Sequence, residues 1–424
     1  MVQRKLTRER RKAKVCKVFE LKIDKSHLSN KTFDHLNSIF REAKWYYNHC
    51  LSHKNLNDVD DKVKAVPVKV GEVYETREFT ALKSQMKQAI RTRLFGSLMS
   101  LSALKKSGRR VGRLKFKSFV HSVPLKQFKR TYDIDTEHST VRIQGVKQKL
   151  KVRGLEQITS DMEIANATLV KRDDDFYLHI TTFCDKVERN IPEQSIGIDF
   201  GCQTQLTLSD GTKIEFQVPE SDRLRRLSRR IDKSVNGKIG KHRPSNNRRK
   251  LQSQRRKEYN HLTNKKSDIR NKVVSAITNS YKYVCFQNES IHAWSTSGHG
   301  KKIQHSGIGG ILSDLKNKSH TPIEVSKFFP STQLCPQCGS KKKMHVSERV
   351  YECTCGFKDD RDIKSARCIE EEGLRVGKND KMVPLYIVPT EHREVKPKEK
   401  SSSACFDVLM KVNGIKVRKM TSLS

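Results

Sequence analysis

Four cysteines and three carboxylates are the residues of this chain best placed to do chemistry. Cys335-Pro-Gln-Cys338 and Cys353-Thr-Cys355 are two close pairs separated by fourteen residues. Each pair can offer two thiolates along one edge of a tetrahedron, and a hairpin between them would bring the two edges together around a zinc ion. Pro336, Gly339 and Gly356 stand where the knuckle turns would fall, and lysines rather than core residues surround the motif. The second pair has one intervening residue instead of the usual two, which leaves its geometry open; the alternative is four unrelated buried thiols. The carboxylates are Asp199, Glu289 and Asp362. Asp199 lies in Ile196-Gly-Ile-Asp-Phe-Gly201, Glu289 follows the apolar run Tyr283-Val-Cys-Phe286, and Asp362 opens a helical stretch. A small hard cation such as Mg2+ takes carboxylate oxygens and keeps waters for chemistry. Two such ions about 4 Å apart can activate a water and stabilise the leaving oxygen of a phosphodiester. Taken alone, Asp362 would more naturally be a helix cap or an ion-pair partner. It is the three acids in this order that indicate a site.

Elements at these positions follow from hydrophobic periodicity. Residues 15–23 alternate at Phe19, Leu21 and Ile23, which predicts a half-buried strand. Phe33, Leu36, Phe40, Ala43, Tyr47 and Leu51 predict an amphipathic helix over 31–51, and a second helix is expected from about 78 to 104 after a charged linker. A basic loop, Lys105 to Lys117, follows. Short alternating strands then fill 125–185, the last two forming a hairpin about Asp173-Asp-Asp175. The first 185 residues are therefore expected to be a small β-barrel or sheet with a helical insert.

From Ser195 a three-strand meander is predicted, with Asp199 at the end of its first strand. Residues 223–257 then hold fifteen Lys or Arg against one acid, Asp232. Leu224, Leu227 and Ile231 give this block a helical stripe, so it is expected to form basic helices broken around Asn236-Gly237 and Pro244. A further helix over about 261–280 leads to the strand that ends before Glu289. A Gly/Ser/His-rich loop (295–310), a short helix, a strand from Pro322 to Phe329, the cysteine hairpin and a helix over 361–373 complete the pattern. If the first and fourth strands of this region are neighbours, Asp199, Glu289 and Asp362 converge. The tail from about 376 is rich in Lys, Pro and Ser and is expected to be poorly ordered.

With 86 Lys and Arg against 47 Asp and Glu, the 424-residue chain carries a formal net charge of +39. An excess of that size spread along the chain points to a polyanionic partner, nucleic acid before an anionic membrane. No apolar run approaches a membrane span, and Met-Val-Gln-Arg-Lys lacks the apolar core of a signal peptide, so an intracellular protein without disulfides is expected.

Gly197-Ile-Asp199-Phe-Gly, Phe286-Gln-Asn-Glu289-Ser-Ile-His-Ala-Trp294, Phe329-Pro-Ser-Thr-Gln-Leu-Cys335-Pro-Gln-Cys338-Gly and Cys353-Thr-Cys355-Gly-Phe-Lys-Asp-Asp360-Arg-Asp362 occur in an order that resembles the TnpB (OrfB) family of insertion sequences. These are RuvC-like nucleases related to type V CRISPR effectors and to the eukaryotic Fanzor proteins. The resemblance implies a multidomain α+β chain. An N-terminal β-barrel begins in 1–30, is interrupted by a helical insert and basic loop (31–115) and resumes over 116–190. An RNase H-like (RuvC) domain with arginine-rich helices spans 191–330, a zinc-binding hairpin 331–358 and the last helix 359–375. It further implies Asp199, Glu289 and Asp362 as catalytic ligands of two Mg2+ ions, and Cys335, Cys338, Cys353 and Cys355 as ligands of a structural Zn2+. The family's activity is RNA-guided cleavage of double-stranded DNA beside a short transposon-adjacent motif, with a guide RNA from the element's end. Such a protein would work in the cytoplasm of a prokaryote or the nucleus of a eukaryote.

Sequence recognition in such a complex is delegated to base pairing, so the protein needs a cationic channel. Arg225, Arg226, Arg229, Arg230, Arg248, Arg249, Arg255 and Arg256 are the candidates for it, and reading of the flanking motif is expected in the N-terminal half. One departure stands out: Lys364 occupies the place of the family's usual asparagine after the last acid, where it would weaken cleavage or add a positive charge. That feature favours the alternative of a nuclease-impaired RNA-guided DNA-binding repressor. A transposase acting on element ends lacks its His-x-His run, and a zinc-ribbon nucleic-acid-binding protein leaves the acids unexplained.

Overall fold

In the computed structural model, residues 2–186, 190–234, 245–345, 347–382, 407, 409–412 and 414–420 are described, and the chain divides into two units, Met1–Glu188 and Arg189–Ser424. The first unit opens with α1 (Val2–Lys12), whose Arg10 and Arg11 pair with Glu163, and continues into β1 (Val15–Ile23). Ser29 caps α2 (Asn30–Ser52) by accepting a hydrogen bond from the Thr32 N–H, and the helix buries Leu36, Phe40, Ala43 and Tyr47. The charged linker beyond α2 contains a hairpin, β2 (Ala65–Val70) and β3 (Val73–Glu78), turning at Gly71 with φ 64°. The sequence reading predicts only a charged linker here, and the alternating valines with a glycine at the tip make it a hairpin.

α3 (Ser84–Lys106) is followed by β4 (Ser122–Leu125), β5 (Tyr132–Asp135), β6 (Thr140–Ile143), β7 (Leu150–Arg153), β8 (Glu163–Arg172) and β9 (Asp175–Cys184). These form a seven-stranded sheet in the order β4-β8-β9-β1-β7-β6-β5, a nearly closed barrel. β1 pairs antiparallel with β9 from Val15↔Cys184 to Lys22↔Tyr177, so the ends of the first unit lie side by side.

The second unit begins with the meander β10 (Ser195–Phe200), β11 (Leu206–Leu208) and β12 (Thr212–Phe216). α4 (Asp222–Lys233) and α5 (Asn246–Ser280) follow; α5 is one continuous helix that absorbs the separate helix expected over 261–280. Asn236-Gly237 and Pro244 lie outside the described residues. Next come β13 (Tyr283–Gln287), α6 (Ile291–Trp294), a π-turn over 295–299, α7 (Gly300–Ser306), α8 (Ile308–Lys318) and β14 (Thr321–Val325). The loop expected over 295–310 is thus largely helical, because Ile303, Ile308, Ile311 and Leu315 supply a buried stripe through a glycine-rich composition. β15 (Val350–Glu352) and β16 (Lys358–Asp360) make a small hairpin before α9 (Arg361–Asn379).

The poorly ordered tail expected from residue 376 needs correction at two places. α9 runs to Asn379, and β17 (Ile415–Lys419) pairs antiparallel with β12, burying Ile415 and Val417. A short alternating strand inside a polar segment is masked by composition, and its partner edge makes it a strand. The resulting sheet has the order β14-β13-β10-β11-β12-β17, with β10, β13 and β14 parallel.

α9 crosses β10 and β13 at close range. A Cβ on Gly197 would come 2.1 Å from the Ala366 carbonyl oxygen, and one on Gly373 would come 2.6 Å from Cys285 Sγ. Gly197→Ala should therefore lower the melting temperature by roughly 4–10 °C by circular dichroism. Gly112→Ala, with open space around the added methyl, is the control and should stay within about 2 °C of the parent protein.

Candidate active site and metal centre

β10 and β13 are parallel neighbours, with Ile198 opposite Phe286. Asp199 is the next residue of β10, and Glu289 follows β13 by two residues, so both acids lie at the carboxyl ends of adjacent strands. The expected adjacency of the first and fourth strands is therefore present. α9 supplies Asp362 in its first turn. Its neighbours in the acidic run are committed elsewhere. The Asp360 carboxylate caps α9 by accepting from the N–H groups of Asp362 (3.0 Å) and Ile363 (3.1 Å), and it pairs with Lys213 at 2.8 Å. Asp359 is buried against Arg367 at 2.5 Å.

Burial, reinforced by the charges of Asp362 and Glu289, pushes the Asp199 carboxyl up to about 8. Burial likewise raises Glu289. Asp362 is met by Arg361 at 3.0 Å and Arg349 at 3.6 Å, two cations that sequence reading did not single out. The acids influence one another but are not drawn into a tight cluster: among the described residues, only the four cysteines place one ligand atom each within 4.8 Å of all the others. Three carboxylates, two of them with raised proton affinity and their charges acting on Asp199, are a donor set suited to hard divalent cations, which would replace the protons and relieve the repulsion.

The cysteines meet a sharper test. Cys335 and Cys355 sulfurs are 3.7 Å apart and those of Cys338 and Cys353 are 3.6 Å apart. A tetrahedral Zn–S distance of about 2.3 Å requires sulfur–sulfur edges of about 3.8 Å. Gly339 (φ 73°) and Gly356 (φ 91°) each follow the second cysteine of a pair, and their N–H groups bond the carbonyls of Cys335 and Cys353, both at 3.0 Å. The one-residue spacing of the second pair thus still closes its knuckle. The Cys355 backbone N–H and the Ser340 hydroxyl draw the Cys353 thiol down to about 5, whereas burial pushes Cys335 up to about 12. The cluster can bind a metal such as zinc.

Lys364, whose charge acts on Asp199, is held by the cysteine hairpin. Its side chain is fully buried, and its ammonium donates to the carbonyls of Ser331 (2.8 Å) and Leu334 (3.1 Å) while lying 4.2 Å from the Tyr351 ring centre. Its charge still favours ionised Asp199, but its hydrogen bonds are directed at the hairpin.

α4 buries Leu224, Leu227 and Ile231 and exposes Arg225, Arg226, Arg229 and Arg230. On α5, Arg249 and Arg256 are exposed and Arg248 and Arg255 half-buried. The first unit has a separate cleft of about 620 Å3, lined among others by Tyr47, Arg93, Arg113, Lys115, Phe116 and Phe119. The basic loop ending in phenylalanines was its signal in the sequence.

A family model described as "Cas12f1-like, TNB domain" matches residues 314–369, which contain all four cysteines and Asp362. A Streptomyces pristinaespiralis protein named "Putative RNA-guided DNA endonuclease" is 25% identical over 189 residues, 42% of this chain and 45% of that protein. "TnpB-like protein L79" of Acanthamoeba polyphaga mimivirus is 25% identical over 220 residues, 47% of this chain and 41% of the relative. The match thus spans less than half the length of these curated relatives. Among solved structures, a chain of the Cas12f1–sgRNA–target DNA complex aligns with TM-score 0.46 at 11% identity, over 84% of this chain and 99% of that one. Residues 314–369 are accordingly a Cas12f1-like TNB domain. Over 42–47% of its length the chain is similar to proteins named as an RNA-guided DNA endonuclease and as TnpB-like.

Two outcomes are expected. Elemental analysis of the purified protein should find one zinc per chain, and Cys335→Ser should abolish stoichiometric zinc. For Asp199, a folded-state pKa raised from 3.8 to about 8 means that the folded protein holds its proton longer than the unfolded chain does. Stability from this group is therefore present below pH 4 and is lost as pH rises towards 8. In magnesium-free buffer, Asp199→Asn should raise the melting temperature by roughly 3–8 °C at pH 8 and have little effect at pH 4.

Proposed function

We propose that this chain is an RNA-guided, Mg2+-dependent DNA endonuclease encoded by an insertion sequence, cleaving target DNA beside a short transposon-adjacent motif. The observation that carries the reading is the placement of Asp199 and Glu289 at the ends of parallel neighbours β10 and β13, with α9 supplying Asp362, whose charge acts on Asp199. The order β12-β11-β10-β13-β14, antiparallel on one side and parallel on the other, supports an RNase H-like (RuvC) domain. The name of the Streptomyces pristinaespiralis relative supports the same activity.

In this reading Asp199, Glu289 and Asp362 hold two Mg2+ ions, which when bound supply an activated water and charge stabilisation at the leaving oxygen. The raised proton affinity of Asp199 and Glu289 is the electrostatic counterpart of that role, since sites that bind cations are costly without them. Arg349 and Arg361 pair with Asp362 and orient its carboxylate. The cysteine hairpin carries a structural zinc. Arg225, Arg226, Arg229, Arg230, Arg248, Arg249, Arg255 and Arg256 bind the phosphates of a guide RNA and its target duplex, with base pairing supplying sequence recognition. The basic, aromatic cleft of the first unit is suited to contacting bases and phosphates of the flanking motif. The nuclease-impaired repressor keeps Lys364 as its supporting feature, since the charge of this ammonium acts on Asp199 while its hydrogen bonds go to backbone carbonyls of the hairpin.

The test is to co-express the protein with the DNA that flanks its gene, sequence the RNA that copurifies, and offer a matched target library with Mg2+. Cleavage should require the RNA and the metal, and Asp199→Ala should reduce it by at least about 1,000-fold while retaining RNA-dependent binding. RNA-dependent binding without cleavage by the parent protein would instead establish the repressor. Replacing Arg248, Arg249, Arg255 and Arg256 with Ala should weaken binding to all targets alike and flatten its salt dependence by about three to four units of log–log slope. Loss confined to particular targets would remove these helices from the phosphate-binding role.

A further inference from the structure

Lys364 is a fully buried cation, which is costly unless every donor is satisfied. Two of its N–H groups reach the carbonyls of Ser331 and Leu334, and the ammonium lies against the face of Tyr351, itself fully buried. These partners are on both arms of the cysteine hairpin. Leu334 directly precedes Cys335, and Tyr351 stands two residues before Cys353. The same segment is gripped from the sheet. Gln287, buried at the end of β13, donates to the carbonyls of Ser326 (3.0 Å) and Phe329 (2.8 Å) and accepts from the Ser331 hydroxyl at 3.1 Å. Gln287 lies two residues before Glu289, and Lys364 two residues after Asp362. Residues 326–334 are therefore a strut, fixed at one end beside Glu289, at the other beside Asp362, and continuous with the first zinc ligand.

We infer that Lys364 is a positioning residue that couples the cysteine site to the acid site, so that an intact hairpin is required for full divalent-cation affinity at Asp199, Glu289 and Asp362. The ammonium holds the turn at Ser331–Leu334 against the start of α9, and this fixes the helix turn that carries Asp362. An apolar side chain of similar length would fill the space without binding the carbonyls, leaving two buried acceptors unpaired and the strut free to shift. The inference rests on the reading of the three acids as cation ligands.

The experiment uses the full-length, zinc-loaded protein with two readouts besides activity: the rate of zinc transfer to a chromogenic chelator, and Mn2+ affinity measured by electron paramagnetic resonance. Lys364→Met should speed zinc release by about tenfold or more and weaken Mn2+ binding by about three- to tenfold. Lys364→Arg, which keeps a cation and its donors, should recover at least part of both. Tyr351→Leu, which removes the aromatic face while remaining apolar, should speed zinc release in the same direction and keeps the inference testable if Lys364→Met does not fold. Unchanged zinc release in Lys364→Met, or faster release with parent-like Mn2+ affinity, would overturn the coupling. Failure of the parent protein to bind Mn2+ more tightly than Asp199→Asn would instead overturn the reading of the acids, and the coupling with it, while leaving the zinc-release comparison to report on the hairpin clamp alone.

Discussion

At Gly197 the backbone of α9 comes so close to β10 that a single methyl group would overlap the Ala366 carbonyl, and at Gly373 the helix meets Cys285 of β13 in the same way. Helix and sheet meet here backbone to strand, with the Ser195 hydroxyl bonding the buried Glu370 carboxylate between them. Every other relation among the three acids follows from this seating. Two acids are fixed by strand register, but the third arrives on a helix, and only a helix held this tightly can deliver Asp362 to a defined place. Larger residues at either glycine would push the first turn away from the strand ends.

The site so assembled is electrostatically unfavourable by itself. Asp199 is held in a poorly hydrated place where the charges of Asp362 and Glu289 reach it, and its proton affinity rises accordingly. The surrounding structure contains part of the cost: Asp360 caps the helix and pairs with Lys213, Asp359 pairs with Arg367, and Arg349 and Arg361 face Asp362. All three acids of the run 359–362 thus meet a cation, whereas Asp199 and Glu289 keep raised proton affinity.

Much of this was legible in the sequence because the responsible signals are local. Ile-Gly-Ile-Asp-Phe-Gly announces a buried strand ending in an acid; the cysteine spacing with following glycines announces two knuckles; and Leu224, Leu227 and Ile231 announce a helix under its arginines. What escaped depends on distant partners. β17 is a strand because β12 offers an edge, and nothing in Ile415–Lys419 alone distinguishes it from a polar tail. The helices within 295–318 are stabilised by burial of a few isoleucines and leucines against the sheet, which outweighs the poor helical propensity of their glycines. Lys364 was visible as an odd residue beside the last acid, but its anchorage was not, because the carbonyls and ring that receive it lie some thirty and some thirteen positions upstream respectively (Ser331, Leu334 and Tyr351). Arg349 and Arg361 were missed for the same reason: in so basic a chain, no single arginine is conspicuous until the fold selects it.

The pairing of β12 with β17 also sets a timetable for synthesis. β12 leaves the ribosome long before β17, and until Ile415 to Lys419 are available its outer edge presents unsatisfied N–H and C=O groups to solvent. The nascent second unit must hold that edge open while α4, α5, the cysteine hairpin and α9 are still being made. The first unit, whose β1 waits for β9, meets the same delay on a shorter scale. Strand pairings this distant along a chain are slow to form and vulnerable to capture by other edges. The dense positive charge of the intervening helices, which keeps nascent chains apart, is thus an asset to folding as well as to binding.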